Sequence, residues 1–390
     1  MKILIISDWY APVINGVVTS ILNLRQGLEE RGHEVRILTL SGNRKSYSKD
    51  GVTYIGSAPA GFIYPNARIR IVKAKQYMTE LREWKPDIIH SNCEFSTFIL
   101  ARNIAKKLNC PIVHTYHTVY ENYTHYFCPS KKLGKSAVST FSRIISNKTD
   151  CLIVPSAKVA DLLKNYGVVK PIFVVPTGID LSKFSPDSVV HDTNAVKEKL
   201  GVPRSNKVLL YLGRLAKEKN CEELISAAAK LRDKPITLLI VGGGPIRSDL
   251  EQLVEKLGIQ DKVIFTGMVQ PSRTTIYYSI GDLFLNASTS ETQGLTYMEA
   301  LASGLPLLCR RDACLKDVIE EGSNGEMYDT EDELIELLER FLNSDKVLAY
   351  RENALKSAEK FSISTFAKSM EKIYESCLTP VNVSRFTSND

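Results

Sequence analysis

No stretch of this 390-residue chain approaches the roughly 20 apolar residues that a bilayer-spanning helix requires, the longest strand-like apolar run being Ile236 to Val241. Lys2 is followed at once by a short β-type run and then by Asp8, a pattern unlike a secretory leader, so a cytoplasmic location is expected. Eight cysteines, at positions 93, 110, 128, 151, 221, 309, 314 and 377, contain no C-x2-C pair and keep no regular spacing. A disulfide framework and a structural zinc site are thereby excluded, leaving reduced thiols packed as small apolar residues. No helix-turn-helix, RRM or zinc pattern is found either, so no nucleic-acid partner is expected.

What charge there is falls unevenly. Residues 1–180 hold 24 Lys and Arg against 13 Asp and Glu, or +11, while residues 181–390 hold 26 against 31, or −5, within a total of +6. A basic first half suits an anionic partner, and an anionic membrane surface qualifies.

The length allows two full cores. In the first half, short β-branched runs (Lys2 to Ile6, Glu34 to Leu38, Asp87 to His90, Pro111 to Thr115, Cys151 to Val154, Ile172 to Val175) alternate with helical patterns (Val17 to Glu30, Ile71 to Trp84, Phe95 to Lys107, Ala157 to Asn165). This alternation predicts an α/β fold with a doubly wound parallel sheet. Pro176 to Asn206, with three prolines and little apolar periodicity, reads as an interdomain connection. Strands resume at Lys207 to Leu212, Ile236 to Val241, Lys262 to Thr266 and Asp282 to Leu285, giving a second Rossmann-like half. The expected division is residues 1–180, a linker at 181–206, and residues 207–363, with the last helix, within 364–390, returning to the first domain.

Glu291 and Glu299 have seven residues between them and bracket a helix start near Gly294 that follows a strand. The free N–H groups of Gly294, Leu295 and Thr296 at that start suit a phosphate. A glycosidase acid/base pair needs carboxyl groups roughly 5–10 Å apart, whereas eight helical residues rise about 12 Å, so the spacing argues against hydrolysis by this pair. Arg214 and Lys219 follow the strand Lys207 to Leu212 and place two cations at the carboxyl end of the sheet, where ligands bind in such folds. The glycine run Gly242-Gly243-Gly244-Pro245 closes a strand and opens a helix without being a G-x-G-x-x-G fingerprint, and Pro245 reads as the first helical residue. Gly16, at the start of the first helix, lets a phosphate or acceptor hydroxyl approach the backbone. His114, His117 and His125 lie close in sequence, but His114 belongs to a strand and no carboxylate or cysteine completes a helical ligand pair, so no metal site is expected there.

In this order, the strand and glycine loop ending at Gly16, then His117, then Gly213-Arg214-Leu215-Ala216-Lys217-Glu218-Lys219-Asn220, then Val241-Gly242-Gly243-Gly244-Pro245, then Glu291 and Glu299, the chain resembles the family-4 retaining glycosyltransferases with their E-x7-E signature. The segments His90-Ser91-Asn92-Cys93-Glu94 and His114-Thr115-Tyr116-His117-Thr118 narrow the resemblance to the bacterial diacylglycerol α-glycosyltransferases. One departure is the segment Leu308-Cys309-Arg310-Arg311-Asp312-Ala313-Cys314, which stands where that family has a small glycine-rich turn.

The resemblance implies a GT-B fold, two Rossmann-like domains facing across a cleft. It implies transfer of a hexose, glucose from UDP-glucose before galactose from UDP-galactose, to the 3-hydroxyl of diacylglycerol. The alternatives are addition of a second hexose to monoglucosyl-diacylglycerol, a cell-wall or capsule transferase, and a non-catalytic basic lipid-binding protein. Glu291 would position the hexose, Glu299 the ribose, and His117 would contact the transferring sugar. Gly243 and Gly244 would approach the nucleotide, and the backbone at Met268 and Val269 would meet the base. With no D-x-D pair in the chain, Arg214 and Lys219 would neutralise the diphosphate in place of a metal, so no tightly bound cofactor and no obligatory metal are expected, stimulation by magnesium being compatible with this.

A lipid acceptor requires a peripheral enzyme at the inner face of the cell membrane. Arg68, Arg70, Lys73 and Lys75 flank an apolar helical pattern that ends at Trp84, and Lys131 and Lys132 add a second cluster. Basic amphipathic helices of this kind lie on anionic bilayers.

Overall fold

In the computed structural model, residues 1–61, 67–121, 131–186, 192–343 and 347–379 are described. They form two compact units, one of residues 1–178 with 363–390 and the other of residues 179–362.

The first unit runs β1 (Lys2–Ile6), α1 (Gly16–Glu30), β2 (Glu34–Leu40), β3 (Tyr47–Lys49), β4 (Val52–Ile55), β5 (Ser57–Pro59), β6 (Arg68–Arg70), α2 (Lys75–Trp84) and β7 (Ile88–Ser91). It continues with α3 (Ser96–Leu108), β8 (Ile112–Thr115), α4 (Lys131–Ser146), β9 (Cys151–Val154), α5 (Ala157–Asn165) and β10 (Ile172–Val174). Its main sheet has the order β10-β9-β8-β7-β1-β2-β4-β3. All neighbours are parallel except β3 with β4. Strands covered on both faces read as continuous apolar runs, and Ile3 to Ile6 are fully buried.

The second unit runs α6 (Leu181–Phe184), α7 (Thr193–Lys199), β11 (Lys207–Leu212), α8 (Cys221–Lys230), β12 (Ile236–Val241), α9 (Arg247–Leu257), β13 (Val263–Gly267) and α10 (Thr274–Ile280). Then follow β14 (Leu283–Asn286), α11 (Leu295–Ala302), β15 (Leu307–Arg310), β16 (Gly325–Tyr328), α12 (Glu331–Leu342) and α13 (Val347–Ala358). The six-stranded sheet has the order β13-β12-β11-β14-β15-β16. It is parallel throughout.

The stretch 181–206 is not an open connection. It contributes α6 and α7, and Phe184 and Val202 are buried in the core of the second unit. Few apolar residues sufficed because Asp180 and Asp192 cap the two short helices through their side chains.

The last helix, α14 (Ile363–Leu378), belongs to the first unit and packs on α1. A Cβ at Gly27 would lie 2.7 Å from both Ala367 Cβ and Ile363 Cγ2, so glycine is what permits this approach. Phe366, Ala367, Met370 and Tyr374 complete the apolar cluster that holds Ile3, Ile21 and Leu24. At the rim, Arg31 and His33 both meet Glu371, His33 Nε2 at 2.9 Å, and together they hold that carboxyl below its ordinary range.

Candidate active site

Ligands of doubly wound sheets sit at the carboxyl ends of the strands where the winding direction reverses. In the second sheet that point lies between β11 and β14, with β12 and β13 beyond one and β15 and β16 beyond the other. The loops leaving these two strands carry Arg214, Lys219 and Glu291.

Lys219 Nζ donates to Glu291 Oε1 at 2.5 Å, the two side chains being 20% and 17% exposed. The loops are tied by Ser288 Oγ and Ser290 Oγ, which donate to the Glu218 carbonyl at 3.4 and 3.3 Å. Tyr211 OH, buried under the first loop, donates to the Arg214 carbonyl at 3.0 Å. The Arg214 side chain is exposed and has no hydrogen-bond or ion-pair partner among the described residues. Of the two cations read from the sequence, one is therefore open to an anion and the other is shared with a carboxylate.

The glycine run serves the chain's own backbone first. Gly242 has φ 143°, and a Cβ there would sit 1.9 Å from the Gly213 oxygen; at Gly244 it would sit 2.0 Å from the Leu215 oxygen. The turn after β12 is thus pressed against the turn after β11, with Leu215 N donating to the Gly243 oxygen at 3.0 Å. At Gly244 that contact by itself requires glycine, whatever else approaches this backbone. Gly243 is the roomier position, with Met268 Cβ 3.5 Å from its own hypothetical Cβ. Met268 is 87% exposed and Val269 packs against the core. Pro245 does not open the helix, since α9 begins at Arg247.

Gly294, at φ 76°, is the N-cap of α11, so Leu295 and Thr296 begin the helix as the sequence suggests. Glu299 lies in the second turn. Its Oε2 accepts from Tyr278 OH at 2.7 Å, and burial pushes its carboxyl above the ordinary range against that bond. Arg310, in the segment that departs from the family pattern, forks onto Glu223 at 2.8 to 3.2 Å and so fixes the end of β15.

In the first sheet the reversal lies between β1 and β7. Asp8, just past β1, accepts from Thr97 N at 2.8 Å and Ser96 N at 3.1 Å, capping α3 from a distance in sequence. Burial pushes its carboxyl up to about 6, those bonds opposing the shift. Past β7, Glu94 accepts from Tyr120 OH at 2.5 Å and lies 3.4 Å from His114 Nε2. His117, two residues beyond β8, has Nε2 2.8 Å from Asn92 Oδ1. Burial and the neighbouring His114 bring its pKa down to about 3, so the ring is neutral. Sequence reading singled out His117 but not Asp8, and it quoted Asn92 and Glu94 only within a segment that carries the family resemblance. The available signal was polar residues directly after apolar strands, at Ser7-Asp8 and Ser91-Asn92-Cys93-Glu94. Gly16 is exposed and starts α1, whose cap is Asn15, the side chain accepting from Val18 N at 2.9 Å.

The basic segment read as a helix is divided between a strand, a connection and a helix. The helix α2 begins at Lys75, so Arg68 and Arg70 lie on β6 and Lys73 on the connection. Arg68 is bonded to the Ser41 and Ser57 carbonyls and to Ser57 Oγ, which corrects its assignment to a membrane face. Trp84 is corrected likewise, being 7% exposed, with Nε1 donating to Glu34 at 2.5 Å and the Arg36 guanidinium 4.6 Å from its ring centre. Lys73, Lys75, Ile69 and Ile71 are exposed. Lys131 and Lys132 open α4, but their side chains lie outside the described set, as does His125. Among the described residues no His, Cys, Asp or Glu side chains group at a metal site, and no helix is long and apolar enough to cross a membrane.

Two Rossmann-like units, the second with a cationic reversal point beside a helix start, make up a GT-B fold. Residues 14–183 match Glycosyltransferase Family 4 and residues 192–361 match Glycosyl transferases group 1; the chain belongs to this glycosyltransferase family and is a hexosyltransferase. It is 38% identical over 339 residues to an alpha-monoglucosyldiacylglycerol synthase of Streptococcus pneumoniae, covering 86% of this chain and 76% of the relative. It is 34% identical over 390 residues to the enzyme of the same name from Acholeplasma laidlawii, covering 96% of each. Among solved structures, Anabaena Alr3699/HepE in complex with UDP-glucose shares the fold with a TM-score of 0.74 at 18% identity, over 96% of this chain and 100% of that one.

Proposed function

We propose that this chain transfers glucose from UDP-glucose to the 3-hydroxyl of diacylglycerol, with retention at the anomeric carbon. The carrying observation is the reversal point of the second sheet, where an open Arg214 and a Lys219 paired to Glu291 stand beside the start of α11. The names of the relatives from S. pneumoniae and A. laidlawii support the acceptor and the α-product, and the UDP-glucose complex of HepE supports the donor. Since UDP-glucose is itself α-linked, an α-product means retention.

In this reading the Arg214 fork and Lys219 hold the diphosphate, whose charge grows as the bond from C1 to the phosphate oxygen breaks. Lys219 is then drawn from Glu291 toward phosphate, and Glu291 is released to accept from hydroxyls of the hexose. The first turn of α11, from Gly294 through Thr296, offers its N–H groups to phosphate, and Glu299 takes the ribose. Gly243 and the backbone at Met268 and Val269 take the nucleotide. On the first domain, Gly16 lets substrate approach the backbone, and neutral His117 accepts from the hexose. The bond from the acceptor oxygen to C1 forms on the face the phosphate leaves, and the acceptor proton passes to the departing UDP oxygen. No glycosyl–enzyme bond and no metal are required.

The domains divide this work, the first taking acceptor and membrane and the second the donor. Membrane docking is peripheral, at the cytoplasmic face, through Arg70, Lys73 and Lys75 with the exposed Ile69 and Ile71. The test is a transfer screen of radiolabelled UDP-glucose and UDP-galactose against diacylglycerol and monoglucosyl-diacylglycerol in mixed micelles. Glucosyl transfer to diacylglycerol is expected; transfer only to the monoglucosyl lipid, or to neither, sinks the reading.

A further inference from the structure

Asn92 follows Ser91, the last residue of β7, and His117 comes two residues past Thr115, the last of the neighbouring β8. The Asn92 side chain belongs to a residue that is 4% exposed, and its recorded bond is the one between Oδ1 and His117 Nε2 at 2.8 Å. Its Nδ2 has no partner among the described residues. Burying an unmatched amide N–H is unfavourable, so the amide is not placed there for its own stability.

A neutral imidazole carries one N–H, and an amide oxygen only accepts. The titratable groups facing His117 are His114 on β8 and His90 on β7, and His90 is itself held neutral, down to about 3, chiefly by burial. Nothing in that surrounding favours an imidazolium. The one carboxylate of the loop, Glu94, is turned to Tyr120 and His114 instead. A neutral acceptor beside Nε2 therefore fixes the tautomer without raising the basicity of the ring, which a carboxylate would do.

We propose that Asn92 is a positioning residue: its carbonyl locks His117 in the Nε2–H tautomer and leaves the Nδ1 lone pair to accept a hydroxyl of the transferring hexose. This rests on the assignment of His117 to the sugar made above, and the experiment separates the two. Full-length protein labelled with 15N-histidine is compared by long-range proton–nitrogen NMR for wild type, Asn92→Ala and Asn92→Asp, with His117→Gln identifying the resonance. The His117 proton sits on Nε2 in the wild type, Asn92→Ala gives a mixture of tautomers, and Asn92→Asp raises the ring pKa by about 1–3 units. In transfer assays Asn92→Ala lowers kcat with UDP affinity unchanged, Asn92→Asp adds an acidic limb to the pH profile, and Asn92→Ala adds no loss in a His117→Ala background. A wild-type Nδ1–H tautomer, an unmoved titration in Asn92→Asp, or additive losses in the double variant overturn the proposal. If the spectra behave as described but His117→Ala keeps full turnover, the assignment of His117 to the sugar is what fails.

Discussion

The ammonium of Lys219 and the carboxylate of Glu291 lie 2.5 Å apart, each less than a quarter exposed. A pair formed before substrate arrives keeps both groups ordered, and in the proposed reading the donor diphosphate would compete with Glu291 for Lys219. Loss of either partner leaves a partly buried charge unmatched.

Replacing Glu291 by Ala is expected to lower turnover more than replacing Glu299 by Ala. Displacing the reacting hexose by about 1 Å can cost on the order of 100-fold, while Glu299 in the proposed reading would anchor the ribose, away from the reacting bond. Rates at saturating donor decide it, and a more damaging Glu299 variant contradicts the division of roles.

Arg214→Ala and Lys219→Ala should each weaken UDP binding and transfer at every magnesium concentration. Arg214 is open and Lys219 is shared, so the Arg214 change should act mainly on UDP affinity, read by calorimetry. Full rescue by added magnesium would mean that fixed cations are not what neutralise the diphosphate.

Neutralising Lys73 and Lys75 together with Ile71→Ser should release the protein from anionic vesicles in a sedimentation assay and leave its thermal unfolding unchanged. Charges at such a surface contribute roughly 1 kcal/mol each. Trp84→Ala should do the opposite, lowering stability by about 3–5 kcal/mol while vesicle binding of the folded fraction persists. Equal vesicle binding by wild type and the triple variant removes this face from the argument.

Asp8 gives a pH signature. Its folded pKa of about 6 lies above the ordinary 3.8, so the folded state holds the proton more tightly. The contribution favours folding below about pH 3.8 and is lost as pH rises through 6, a span of about 3 kcal/mol at about 1.36 kcal/mol per unit. Set against Asp8→Asn in urea titrations, wild type should gain stability relative to the variant as pH falls from 6 to 4. A constant difference across that range would place the carboxyl near its ordinary pKa.

Much of the scaffold could be read from the chain because strands buried on both faces are unbroken apolar runs; β1, β9, β11 and β12 have the ends that composition marks. The strands β3, β15 and β16 were not legible, since Tyr47–Lys49 is exposed and Leu307–Arg310 and Gly325–Tyr328 carry no β-branched residue. Trp84 was misplaced for a physical reason. An apolar helix face formed by Tyr77, Met78, Leu81 and Trp84 has the same period whether it meets lipid or core, and here it meets the core holding Leu4 and Phe98. The bonds from Lys219 to Glu291 and from His117 to Asn92 span 72 and 25 residues, distances at which spacing carries no information.

Because α14 completes the core around Ile3 and Leu24 from the far end of the sequence, the first unit is finished last. Residues 179–362 form a contiguous stretch, whereas the cluster that holds Ile21, Leu24 and Leu28 of α1 is complete only once Phe366 to Tyr374 join the strands already packed there. A chain cut short before α14 would therefore keep every residue of the second unit and lose one wall of the first.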